Sequence, residues 1–145
     1  MLTNAFTTQL YRLGDCVMTF AINHIHLKSN SPRECADWWV KAFNFRILGD
    51  TIRDSGDQFI ACESENGMTV NISGPQSTQT LTTGDYGVKE GLEHFGLDSE
   101  NLESDIERLT SLGAELLDGP IEMGAIRICF LKAPDNVRIE LIQRD

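Results

Sequence analysis

The histidines of the chain are three, and they fall in two short segments, His24-Ile25-His26 and the single His94. Both segments alternate apolar and polar residues as a half-buried β-strand does. His24 and His94 stand 70 residues apart, and Asn71 and Glu140, each near the end of its half, stand 69 apart. Two imidazoles and a carboxylate suit a borderline divalent metal with open positions: Zn, Ni, Mn, Co or Fe(II). That chemistry requires residues far apart in sequence to share one face of one structure.

The elements between them predict how. Phe20 to Lys28 puts Ile25 and Leu27 on one face, and Ile22, His24, His26 and Lys28 on the other. Ser31-Pro32-Arg33-Glu34 reads as a helix start, with Ser31 as N-cap, Pro32 at the first helical position and Glu34 closing a capping box. The helix should run to about Phe43, burying Cys35, Trp39, Ala42 and Phe43, with Asn44 as a left-handed stop. Strands are expected at 45–49, 57–63 and 67–73. Residues 74–90 read as a linker. The pattern then repeats: a strand from Leu92 to Asp98, a helix from about Asn101 carrying Leu102, Ile106, Leu109 and Leu112, a stop at Gly113, and strands at 114–117, 124–131 and 136–142.

The near-constant offset predicts a duplicated β-α-β-β-β unit in an α+β fold. Its modules cover about 20–73 and 91–142, within one domain spanning 20–143. If each helix covers the apolar face of its sheet, Thr69, Asn71 and Ser73, and likewise Arg138 and Glu140, turn to the face that carries the histidines. A curled mixed sheet could then gather His24, Asn71, His94 and Glu140 around a cavity. Lys28, Arg127 and Arg138 would give that cavity a positive lining for a carboxylate, phosphonate or enolate. Strand 124–131 can be read in either register, which leaves the face of Arg127 open. Cys62 and Cys129 lie in apolar strands and read as core rather than as nucleophiles.

Composition narrows the classes. The chain of 145 residues is one ordinary domain, 41% hydrophobic and 23% charged, which fits a globular protein and not a disordered one. No run approaches the ~18–20 apolar residues of a membrane-spanning helix. A net charge of -10 argues against nucleic acid as a partner. The four cysteines form no C-x-x-C pair, and residues 1–19 show no secretory pattern, so reduced thiols in a cytoplasmic protein are expected. Residues 1–19 are read as an N-terminal arm, either an addition or an upstream start before Met18. Open sheet faces and free edge strands predict a homodimer.

His24-Ile25-His26-Leu27, followed by a capped helix with the Trp38-Trp39 pair, resembles the opening of vicinal oxygen chelate proteins. These include glyoxalase I, methylmalonyl-CoA epimerase, bleomycin and fosfomycin resistance proteins and extradiol dioxygenases. Glu93-His94-Phe95-Gly96-Leu97 is similar to their fifth strand, and the run from Lys132 to Leu141 is similar to their closing segment, D-P-D-G-N-x-I-E-L. The resemblance covers roughly 20–143 and implies the glyoxalase-like fold. It also implies one divalent metal held by His24, His94 and Glu140, with Asn71 at the fourth position. There glyoxalase I carries Glu; Asn is neutral and shorter, so a three-ligand site fits better. His26 is an additional group facing the same cavity, as a base, a substrate contact or a further ligand. The activity implied is that of a lyase or isomerase acting on a small oxygenated substrate through an enediolate-like intermediate, with Glu140 or His26 moving the proton. An Fe(II) ring-cleaving dioxygenase and a non-catalytic binder of antibiotic-like molecules are the alternatives. Nothing in the residues names the substrate or a thiol cofactor such as glutathione.

Overall fold

The computed structural model describes residues 11–13, 16–18 and 20–145. Two short strands, β1 (Tyr11–Leu13) and β2 (Cys16–Met18), pair antiparallel; the rest of the N-terminal arm lies outside the described residues. Two units of like order follow. The first is β3 (His24–Lys28), α1 (Pro32–Phe43), β4 (Arg46–Ile52), β5 (Gln58–Glu63) and β6 (Thr69–Ser73). The second is β7 (Phe95–Asp98), α2 (Leu102–Ser111), β8 (Glu115–Met123), β9 (Ile126–Lys132) and β10 (Arg138–Arg144), with a short 3-10 turn at Pro134–Asn136.

Each unit forms a four-stranded mixed sheet, ordered β3-β6-β5-β4 in the first and β7-β10-β9-β8 in the second. In each, the first strand runs parallel to the last, and the other pairs are antiparallel. The two sheets do not close on each other. The duplication shows in the register: His26 pairs with Asn71, and Gly96 with Glu140. Asn71 and Glu140 are therefore equivalent positions, as His26 and Gly96 are.

Apolar residues on alternate strand positions face the helices. Ile60, Cys62, Val70 and Ile72 in one module, and Cys129, Leu131, Ile139 and Leu141 in the other, join Trp39, Leu102 and Leu109 in a single buried core. Trp39 is fully buried and its ring lies 5.7 Å from that of Phe95, so module 1 packs directly on the first strand of module 2. Trp38 Nε1 donates to Leu112 O at 2.9 Å, and Arg108 Nη1 to Ala42 O at 2.8 Å, satisfying helix-end carbonyls across the module boundary.

Most local expectations hold, with corrections to one helix cap and to strand bounds: β3 begins at His24 rather than Phe20, and β4 runs on to Ile52. Asn44 takes the left-handed conformation that ends α1 (φ 55°), and Gly113 does the same after α2 (φ 95°). Asn101 caps α2 by accepting from Ser104 N. The Ser31–Glu34 capping box does not form: Ser31 makes no side-chain cap bond, and its backbone N–H donates to Ser29 Oγ at 3.0 Å instead. β8 runs through Gly119 and Pro120 to Met123, well beyond residue 117. It lies at the sheet edge, where the missing proline N–H deprives no neighbour of a bond. β7 begins at Phe95, so His94 stands immediately before the strand.

Candidate functional site

On module 2 the polar face of the sheet carries a compact charged group. Glu140 comes from β10 and His94 from the entry to β7. His94 Nε2 lies 3.4 Å from Glu140 Oε2, and both side chains are largely covered. The other ring nitrogen, Nδ1, meets the carboxylate of Glu93. Arg138 Nε stands 2.9 Å from Glu93 Oε1, as a charge contact rather than an aligned hydrogen bond. Its Nη1 donates to Tyr86 O at 3.2 Å, from the linker segment that crosses this edge. The face of Phe130 supports both partners: the Arg138 guanidinium lies 4.5 Å above it, and the His94 ring stands edge-on at 5.2 Å. Gly96 sits beside Glu140. A Cβ there would lie 3.6 Å from Glu140 Oε2 and 3.3 Å from Ile142 Cδ1, so glycine keeps the carboxylate's flank open.

Module 1 presents His24, His26 and Asn71 on the matching face. His24 is exposed, with Nδ1 against Asn23 Oδ1. His26 Nε2 lies 2.9 Å from Ser73 Oγ, and Lys28 Nζ donates to the same oxygen at 2.9 Å and to Gly74 O at 2.9 Å. Ser73 is fully buried. A lysine ammonium can only donate, so Ser73 Oγ accepts from Lys28, and it keeps a second lone pair and its own hydrogen for His26 Nε2. Partial burial, followed by the charges of Lys28, Arg53 and His24, holds His26 below the ordinary imidazole value.

The structure thus brings His94, Glu140 and Arg138 together on one sheet, and His24, His26 and Asn71 on the other. Within one chain, no three His, Cys, Asp or Glu side chains among the described residues are grouped to hold a metal. The expectation that one curled sheet gathers His24, His94 and Glu140 is not met in the single chain, because the two sheets stay separate. The pair that does converge fits a cation. Two donors about 2.1 Å from a tetrahedral ion stand about 3.4 Å from each other, the separation of His94 Nε2 and Glu140 Oε2.

Arg127 requires a correction. It shares the helix-facing side of β9 with Cys129 and Leu131, where Nη1 reaches Glu103 Oε2 at 3.1 Å and Nε reaches Glu122 Oε1 at 2.7 Å. Two carboxylates outside the cavity occupy its guanidinium. Sequence reasoning gave no role to Asn23 and Glu93, and placed Ser73 on the histidine face without a partner. The first two had a legible signal, since each immediately precedes a histidine and they too stand 70 apart.

A family model described as the glyoxalase/bleomycin resistance protein/dioxygenase superfamily matches residues 23–130. The chain belongs to that superfamily. Among solved structures it is similar to a glyoxalase family protein from Bacillus cereus, with a TM-score of 0.76 and 14% identity, covering 92% of this chain and 99% of that one. It is also similar to a glyoxylase/bleomycin resistance protein/dioxygenase domain from Frankia sp. EAN1pec, with a TM-score of 0.70 and 17% identity over 88% of this chain and 100% of that one. A third is the fosfomycin resistance protein FosX of Listeria monocytogenes, solved with Mn(II) and sulfate, with a TM-score of 0.65 and 17% identity over 88% and 95% of the two chains. At these identities the likeness shows the fold. No curated protein matches the chain.

Proposed function

We propose that the protein is a metal-dependent lyase or isomerase of glyoxalase type whose site is completed by a second copy of the chain. His24 of one protomer would join His94 and Glu140 of its partner around one divalent ion. The observation that carries this reading is the convergence of His94 Nε2 and Glu140 Oε2 at 3.4 Å on an open sheet face.

The surface around both histidines supports assembly in this manner. Phe20 and Ile22 precede His24 and are 88% and 81% exposed; Val88 and Leu92 precede His94 and are 83% and 75% exposed. Large apolar side chains bared beside both ligand strands are the material of an interface. The first strand of each module also pairs on one edge only, leaving a row of backbone groups to be covered.

A divalent ion held by His24, His94 and Glu140 would supply a Lewis acid to polarise a small oxygenated substrate. The residues of the chain do the rest. Glu140, beside open space at Gly96, accepts and returns a proton from substrate carbon. His26, with Nε2 engaged by Ser73, presents Nδ1 to the substrate. Asn71 lies next to His26 as a neutral polar contact, and Arg138 adds positive charge to the opposite wall. The substrate itself stays at the level of a small oxygenated molecule.

Metal titration into the metal-free protein tests the reading. One ion should bind per protomer, and His94→Ala should lose both metal and turnover. Wild type that takes up none of Zn, Ni, Mn, Co and Fe(II) would leave a binding protein on the same scaffold. Oxygen uptake with catechols separates the ring-cleaving alternative.

A further inference from the structure

We propose that Asn23 and Glu93 are a repeated pair of positioning residues that fix how His24 and His94 present their ring nitrogens, and that Glu93 makes His94 the tighter holder of a cation. The proposal rests on the reading of both histidines as metal ligands. Asn23 and Glu93 each stand immediately before their histidine, and each meets its Nδ1 atom. An amide oxygen and an ionised carboxylate can only accept. Nδ1 therefore carries a proton in both rings, which leaves Nε2 of the neutral ring with the lone pair. The free imidazole side chain favours the opposite tautomer, so the two neighbours turn each ring from a form that cannot ligate through Nε2 into one that can. In neutral His94 this lone pair faces Glu140 Oε2 across 3.4 Å, two acceptors aimed at the same space.

The two copies of the device differ in charge. Asn23 is neutral and exposed. Glu93 is ionic and three-quarters covered; Arg138 contacts its other oxygen, and Phe130 supports both Arg138 and the His94 ring. A carboxylate on the far nitrogen raises the basicity of a ligating imidazole and locks its orientation, and losing such a partner typically weakens metal binding ~10–100-fold. An amide gives the orientation with less of the basicity. Arg138, which sequence reasoning assigned to the substrate, thereby acts through Glu93 as well.

The test is the histidine tautomer, read by long-range 1H–15N correlation on the intact, metal-free protein at pH 9, followed by zinc titration. Wild type should show both His24 and His94 protonated at Nδ1. Glu93→Ala should release His94 alone and weaken zinc ~10–100-fold. Asn23→Ala should release His24 alone, with a smaller loss of affinity. Glu93→Gln, which still offers an acceptor oxygen, should keep the tautomer and recover part of the affinity. His94 protonated at Nε2 in wild type, or Glu93→Ala with unchanged tautomer and affinity, overturns the proposal. Because the tautomer is read without metal, a wild type with both rings Nδ1-protonated that takes up no zinc would sink the metal reading and leave the tautomer assignment standing.

Discussion

Trp39 joins the two modules, and removing its ring should cost the whole chain rather than one half. The side chain is fully buried and lies 5.5 Å from the rings of both Phe43 and Phe45, 5.7 Å from Phe95 and 5.1 Å from Trp38. A tryptophan buries ~150–250 Å², which at ~25 cal/mol/Å² is about 4–6 kcal/mol. Alanine recovers a little of this, so Trp39→Ala should destabilise by ~3–5 kcal/mol. At ~2–4 °C per kcal/mol for a chain of this size, the midpoint should fall by ~6–20 °C. Guanidinium unfolding at fixed protein concentration, followed by circular dichroism and by the fluorescence of the remaining Trp38, should show one transition displaced as a whole. A loss under about 1 kcal/mol, or a second transition left in place, would refute the shared core.

Two further outcomes follow from buried ionisable groups. Asp57 is almost completely covered, and the Arg53 guanidinium, with the Ser55 hydroxyl second, holds its carboxyl down at about 2. A carboxyl depressed by folding contributes stability that is present above its ordinary value near 3.8 and lost as pH falls through 2. Asp57→Asn should therefore flatten the fall in the denaturation midpoint between pH 5 and 2.5; a fall as steep as in wild type contradicts the assignment. Burial, with Asp135 second, pushes the Cys35 thiol up to about 12, burial raises Cys129 to about 11, and burial also raises the Cys62 thiol above its ordinary value. A disulfide reagent at pH 8 should leave these three thiols untouched until denaturant is added, and rapid labelling of Cys35 in the native state would count against a closed core.

The parts of the fold set by local chemistry were legible in the sequence. Pro32 and Asn44 bound the first helix, Asn101 and Gly113 the second, and the 69–70 residue offsets mark Asn71 and Glu140 as equivalent positions. β8 was cut short because Gly119-Pro120 reads as a break, and only its place at the sheet edge makes proline tolerable there. The face of Arg127 stays open in the sequence because its strand alternates too weakly to fix one; Glu103 on α2, distant in sequence, decides it. The candidate site was legible in its residue types and not in its assembly. Alternation puts His24 and Glu140 on the sheet faces turned away from the core, but whether two sheets curl together within one chain depends on how the modules pack through Trp39 and Phe95. No local pattern encodes that arrangement.

The central claim is a metal centre built from two protomers, and complementation tests it most directly. His24→Ala and His94→Ala would each be prepared alone, then mixed, unfolded and refolded together, and their bound metal counted. Each variant alone should hold almost none. In a mixed dimer with a shared centre, the intact His94 of the first variant meets the intact His24 of the second, so one site of two is restored. Metal and turnover should reappear at about one ion per mixed dimer. If the mixture stays as empty as its parents while wild type treated in the same way loads fully, the centre is not shared between protomers and the proposed assembly is wrong.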